Sequence, residues 1–202
     1  MKHVQLKFVV PLFVLWLGMI TGGYSWLLRY SFVPGGTISA PRALPSSLGW
    51  SLPLLRPQLV LALHPRCPCS RATVNELVKI RSRVRDASDV TVLMFKPANE
   101  PDSWMESAML DDCVRIGCQI RPDPDGRLAT SLGNLTSGGV VLYDVNGELR
   151  YQGGITGSRG HEGDNSGETA VIEILQGRRY SHPSMPVFGC PIQQESLQSV
   201  AR

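Results

Sequence analysis

Apolar and polar positions fall into distinct rhythms along this chain. From Phe8 to Leu28 there is no alternation at all: 21 residues pass without a charge. About 20 apolar residues cross a bilayer as a helix, so a transmembrane helix is predicted there. Lys2 and Lys7 precede the stretch and assign residues 1–7 to the cytoplasm. Trp16, Tyr24, Trp26 and Tyr30 partly mark the far interface. The favoured reading is an uncleaved signal-anchor over residues 8–28. The competing reading is a cleaved signal peptide ending near Ile38-Ser39-Ala40. With the anchor retained, the chain is a single-pass protein of the inner (cytoplasmic) membrane. Its remainder faces outward, into the periplasm in a bacterium.

Residues 29–57 read as a linker, because Pro34 to Pro57 holds five prolines and little charge. Regular patterns start after it. Gln58–Leu63 is a short continuous apolar run, predicted to be a buried strand. Ala72, Val74, Leu77, Val78 and Ile80 recur at helical spacing and predict a helix from Ser70 to Val84. Val90–Phe95 is a second buried strand. Asp102 or Ser103 is positioned to cap a helix running to about Val114. Arg121–Gly126, with two prolines and a glycine, reads as a loop, and 126–132 as a short helix. Val140–Tyr143 and Glu148–Gln152 flank Asn146-Gly147, a strong hairpin signal. Asp164 to Gly167 open a last helix over 168–176.

The predicted order is β-α-β-α-β-β-α over residues 58–178, with residues 179–202 as a tail. Strands joined through helices imply parallel pairing, and the hairpin adds an antiparallel edge. The expected fold class is α/β, a central mixed sheet with helices on both faces, preceded by one transmembrane helix. Composition adds exclusions. The net charge is only +3 with scattered basic residues, which gives no footprint for a nucleic acid. No phosphate-binding loop, dinucleotide fingerprint, serine elbow or His-Glu zinc motif is present.

Five cysteines suit an exported domain, and an odd number leaves at least one thiol free, ligated or paired between molecules. Cys67-Pro68-Cys69 falls at the start of the first helix after the first strand. A helix N-terminus stabilises an anion, so a thiolate forms there more easily. The thiolate is both a nucleophile and a metal ligand. Bridging residues two apart requires strain, so a Cys67–Cys69 bond would be readily reduced. Cys113 and Cys118, around a predicted helix end, are candidates for a local disulfide.

The element order, with cysteines opening the first helix, resembles the thioredoxin-like superfamily, in particular its membrane-tethered TlpA-like branch. Three stretches, His64-Pro65-Arg66-Cys67-Pro68-Cys69-Ser70-Arg71-Ala72, Thr136-Ser137-Gly138 and 153–165, together with Phe188-Gly189-Cys190-Pro191, resemble the RedB-type membrane-anchored proteins. The resemblance covers roughly residues 58–177 and implies a thioredoxin-like fold and thiol–disulfide exchange. Two departures stand out. This chain has Cys-x-Cys where thioredoxins have Cys-x-x-Cys, and Ser137 falls where that family places a cis-proline.

The expected function is a membrane-anchored, exported thiol–disulfide oxidoreductase. Cys67, Cys69 and His161 are its catalytic candidates, and Arg159, Asp164, Asn165 and Ser137 are in support. Its partners would be the membrane, a protein thiol or disulfide substrate and a membrane electron donor, with no cofactor. The alternative is a Cu(I)-binding or delivery module with Cys67, Cys69, His64 or His161, and Cys190 as ligands. Met185 and His182 in the Pro-rich tail are also of copper-binding types. A non-catalytic interaction domain is the third reading.

Overall fold

Six consecutive buried residues, Gln58–Leu63, form β1 at the centre of the sheet. A strand buried on both faces reads as an unbroken apolar run, which is why Leu59 to Leu63 carries no polar position. The computed structural model describes residues 2–178, 180 and 184–193, and side chains from residue 8. It divides into two compact units, Met1–Val33 and Pro34–Arg202. The first is α1, Lys2–Phe32, whose segment Phe8–Phe32 is long and apolar enough to cross a membrane.

In the second unit β1 pairs in parallel with β2 (Asp89–Lys96), and β2 in parallel with β3 (Gln119–Pro124). On its other side β1 pairs antiparallel with β4 (Gly139–Tyr143), and β4 with β5 (Leu149–Gly154). Among the described residues the sheet has five strands in the order β3-β2-β1-β4-β5. The mixed sheet with its hairpin edge is as the sequence led us to expect, but it has a fifth strand, and β4 runs antiparallel to β1 rather than parallel.

Helices lie on both faces. Leu59, Leu61 and Leu63 pack with α2 (Ser70–Arg83), α3 (Ala108–Arg115) and α5 (Ser166–Leu175), through Leu77, Ile80, Met109 and Val171. Val60, Ala62, Leu93, Val141 and Tyr143 face the opposite way, onto the short α4 (Arg127–Ser131) and its neighbour Leu132. That helix is too small to cover the face, and Ala40, Leu48 and Ile192 complete the layer.

Three expectations need correction. Residues 121–124 form edge strand β3 rather than a loop. Pro122 and Pro124 are two apart, so their missing N–H groups fall on one side, the open edge, where proline is tolerated. The single helix expected over 102–114 is a 3-10 turn, Asp102–Met105, followed by α3, with the Ser107 hydroxyl capping the Leu110 N–H at 3.2 Å. The compact unit starts at Pro34 rather than near Gln58. Thr37 bridges to Asn134 and Ala43 to Glu148, and the Arg42 carbonyl accepts the Leu149 N–H at 2.8 Å. Of the apolar residues in this lead-in, Ala40 and Leu48 are buried, whereas Ile38, Leu52 and Leu55 are exposed.

Candidate functional site

The site lies at the carboxyl end of β1, where open α/β sheets usually place their chemistry. The chain leaves β1 at His64, turns through a Cys67 N–H to His64 carbonyl bond of 3.0 Å, and enters α2 with Cys69 as the N-cap residue. Cys67 is buried at 5% exposure, while Cys69 is half-buried. A third thiol joins them. The sulfurs of Cys67, Cys69 and Cys190 all lie within 4.8 Å of one another.

Cys190 reaches the site because the tail is sewn to the sheet. The Ser137 N–H donates to the Cys190 carbonyl at 2.8 Å, and the Ile192 N–H to the Leu135 carbonyl at 2.9 Å. Gly189 permits the approach: a Cβ there would stand 1.9 Å from the Ser137 carbonyl oxygen. Arg159 donates to the Gly189 carbonyl and so ties the loop after β5 to the tail. Gly153 plays the same part further back, its φ of +154° and its contact with the Met185 backbone leaving no room for a side chain.

Ser137 also organises the start of α2. The His64 N–H donates to Ser137 Oγ at 2.8 Å, and Ser137 Oγ lies 2.6 Å from Ser70 Oγ. A hydroxyl has one hydrogen, and once Ser70 gives its own to the Cys67 sulfur the direction is set. Ser137 accepts from His64 and gives its proton to Ser70, and Ser70 hydrogen-bonds the Cys67 sulfur. Two hydroxyls thus relay a backbone N–H to the nucleophile.

The three thiols differ in acidity. Burial raises Cys67, but hydrogen bonds from the Ser70 hydroxyl, the Cys190 thiol and the Cys190 and Ser70 backbone outweigh it, so its pKa falls below the ordinary value. Cys69 is raised, first by burial and then by the Cys67 charge, with Arg159 acting against both. Cys190 is pushed up to about 12 by burial and by its hydrogen bond to Cys67. Cys67 is therefore the most acidic of the three thiols. The N-terminus of α2 adds in the same direction.

Beside Cys67 and Cys190 a cavity of ≈ 550 Å³ is lined by His64, Arg66, Phe95 and Trp104. His64 stacks on Phe95 with centroids 4.9 Å apart and meets Trp104 edge-on at 5.7 Å. Its Nδ1 accepts the Arg66 N–H at 3.1 Å, and the Arg66 guanidinium lies 4.2 Å above the Trp104 ring. Burial, and then the Arg66 charge, lower the His64 pKa. His64 is an aromatic wall of the cavity and stands outside the sulfur cluster.

The loop after β5 is split in its roles. Arg159 belongs to the site. His161 and Asp164 are exposed, and no hydrogen bond among the described residues ties His161 to the sulfurs. Asn165 caps α5, its side chain accepting the Glu168 N–H at 2.8 Å while donating to Ile155 and Gly163 carbonyls. Cys113 and Cys118, expected as a local disulfide, are both thiols in this structure. They hydrogen-bond each other in the interior. His182 lies outside the described residues, and Met185 packs against the core.

Sequence reading missed Ser70, whose position next to Cys69 in the first turn was a usable signal. It also missed Glu76, whose carboxylate takes the Gly163 N–H at 2.7 Å and Lys79 at 2.8 Å, holding the Arg159 loop onto α2. Asp123 was hidden in the supposed loop. It is buried and accepts the Leu128 and Ala129 N–H groups at 2.8 and 2.9 Å, which starts α4. Burial nevertheless raises its pKa.

No protein-family model and no curated protein matches the chain. Solved structures do. A hypothetical protein of Sinorhizobium meliloti superposes with a TM-score of 0.58 at 19% identity, covering 82% of this chain and 97% of its own. An uncharacterised conserved protein of Geobacillus kaustophilus gives 0.56 at 15% identity, covering 82% and 95%. A secreted Mycobacterium tuberculosis disulfide oxidoreductase gives 0.42 at 12% identity, covering 62% and 84%. At these identities the likeness is one of fold. Sheet order and crossovers together give this chain a thioredoxin-like fold.

Proposed function

We propose that the chain is a membrane-anchored, exported thiol–disulfide exchange protein of the RedB type, in which Cys67 is the nucleophile and Cys190 the resolving thiol. The observation that carries this reading is the convergence of three sulfurs within 4.8 Å, of which Cys67 alone has a favoured thiolate. The apolar helix Phe8–Phe32 is the anchor, with Lys2 and Lys7 on the cytoplasmic side.

The exchange balances as follows. The Cys67 thiolate attacks one sulfur of a substrate disulfide, forming a Cys67–substrate bond and expelling the other sulfur, which takes up a proton. Loss of the Cys67 charge removes part of what holds the Cys190 proton, namely its hydrogen bond to Cys67 and the repulsion of a second anion. Cys190 then loses its proton, attacks Cys67 and expels the second substrate thiol. The substrate gains two electrons and two protons, and the protein is left with a Cys67–Cys190 disulfide. Cys190 suits this step better than Cys69, because a ring closed across one residue is strained. A membrane electron donor of dithiol type would restore the reduced state.

The test uses the full chain in detergent with a disulfide-bonded peptide. Cys190→Ser should accumulate a mixed disulfide on Cys67, and Cys67→Ser should form none. Rapid turnover by Cys190→Ser would move the resolving role to Cys69. No adduct on Cys67 in any variant would end the exchange reading.

A second reading is favoured by the same three sulfurs: two thiols suffice for exchange, while three suit a soft metal ion.

A further inference from the structure

We infer that Cys67, Cys69 and Cys190 form a three-coordinate, all-sulfur site for Cu(I), filled only when the three are reduced. This rests on the soft-metal reading of the thiols and specifies its ion, its coordination number and its control.

The spacing is suitable. A metal–thiolate bond of about 2.3 Å places three sulfurs of a trigonal plane about 4 Å apart. The sulfurs here lie within 4.8 Å of one another, so closing on an ion asks for movements below about 1 Å. The third ligand is held in advance. The Cys190 carbonyl is bonded to the Ser137 N–H, and its neighbour Gly189 is pressed against Ser137 and clasped by Arg159. Two ligands on a helix start and one on a pinned tail need little ordering on binding.

The donor set then selects the ion. Zinc takes four ligands in closed structural sites. A fourth donor is missing among the described residues. The His64 ring is stacked on Phe95 with its Nδ1 already accepting the Arg66 N–H. His161 is exposed on its loop, and Met185 packs against the core. Three soft thiolates with no fourth protein donor suit a three-coordinate Cu(I), whereas zinc would need a water to complete its four ligands. Three thiolates and one Cu(I) carry a net charge of −2. The Arg159 charge acts on both Cys69 and Cys190, and the N-terminus of α2 points at the cluster, so that charge has local compensation.

Metal and disulfide exclude each other. A Cys67–Cys190 bond consumes two of the three ligands, so the oxidised protein has no site. The same residues can therefore serve thiol exchange when empty and hold copper when reduced and loaded.

The test is anaerobic titration of the reduced full chain in detergent with Cu(I), against bathocuproine disulfonate as competing chelator, with X-ray absorption on the loaded sample. One equivalent should bind, with three sulfurs at about 2.3 Å. Cys190→Ser and Cys69→Ser should each weaken binding more than about 100-fold, beyond the 10–100-fold of outer-shell changes. His64→Ala and Cys118→Ser should bind as the parent does, and the oxidised chain should not compete. Failure to load, a nitrogen-containing or four-coordinate shell, or parent-like affinity in Cys190→Ser would overturn the proposal. Copper failure alongside a trapped Cys67 mixed disulfide removes this inference alone, and the converse removes the exchange reading alone.

Discussion

Two groups of cysteines sit in the same fold and face opposite helix ends. Cys67 and Cys69 open α2, where unpaired N–H groups and the helix dipole favour an anion. Cys113 lies in the last turn of α3 and Cys118 just beyond it, the Cys118 N–H bonded to the Cys113 carbonyl at 3.0 Å. There the dipole opposes a thiolate. Both pairs contain a thiol lowered by its neighbour: Cys118 by the Cys113 hydrogen bond and, against burial, by Arg81. Cys113 itself is strongly raised by that hydrogen bond and by burial. Fractional exposure does not separate the two groups, since Cys67 is 5% exposed, Cys113 0% and Cys118 9%. The difference is access from a cavity: Cys67 lines an open one and touches two half-buried thiols, whereas Cys113 and Cys118 pack in the core. Proximity of two sulfurs therefore does not make a site; field and access together do.

The largest effect expected from this contrast is in labelling. Iodoacetamide at neutral pH, followed by peptide mass spectrometry, should modify Cys67 at least about 100-fold faster than the fully buried Cys113, which reacts only after local opening, and faster than Cys118. Cys67→Ser should remove the fast phase altogether. A fast phase on Cys118 would erase the distinction between the two groups.

Stability should show the inverse ranking. Cys113→Ser puts a hydroxyl into an apolar interior and should cost about 1–3 kcal/mol in urea unfolding. Cys69→Ser, at a half-exposed N-cap position where serine is a favoured residue, should change stability by less than about 0.5 kcal/mol.

The hydroxyl relay sharpens the account of Cys67. Ser70→Ala removes a direct hydrogen bond to the sulfur and should move the midpoint of Cys67 alkylation upward in pH. Ser137→Ala acts one bond further away and should move it the same way by less. An unchanged midpoint in Ser70→Ala would leave the helix start alone responsible.

The smallest effect concerns His64. Its folded pKa is lowered, so the folded state prefers neutral imidazole and the unfolded chain binds the proton first. Stability from this residue is thus complete above the ordinary value of 6.5 and is lost as pH falls through it toward the lower folded value. His64→Phe keeps the aromatic stack and should flatten this part of the stability profile between pH 7 and 5.

Much of the architecture was legible because strong patterns tolerate few alternatives. β1 and β2 are buried on both faces and read as apolar runs. Asp144 and Gly147 build the turn that Asn146-Gly147 announces, with the Asp144 carboxylate taking the Asn146 and Glu148 N–H groups, each at 3.0 Å. β3 was illegible because an edge strand keeps its prolines on the side that needs no donor. The cover formed by Ala40 and Leu48 was illegible because two buried residues among many prolines leave no periodicity. The position of Cys67 and Cys69 followed from a strand running into a helix. The arrival of Cys190 did not, since it depends on Gly189 meeting Ser137, 52 residues earlier in the chain. His64 and His161 looked alike as ligands in sequence. What separates them is the Phe95 and Trp104 wall, which only the folded chain supplies.

The central claim is that Cys67 is the acidic thiol of a three-sulfur cluster. Site-resolved alkylation of the reduced full chain across pH, read by isotope-coded mass spectrometry, tests it most directly. Cys67 should titrate below an ordinary thiol, with Cys69 and Cys190 both above it. A Cys67 midpoint at or above that of Cys69 would contradict the account.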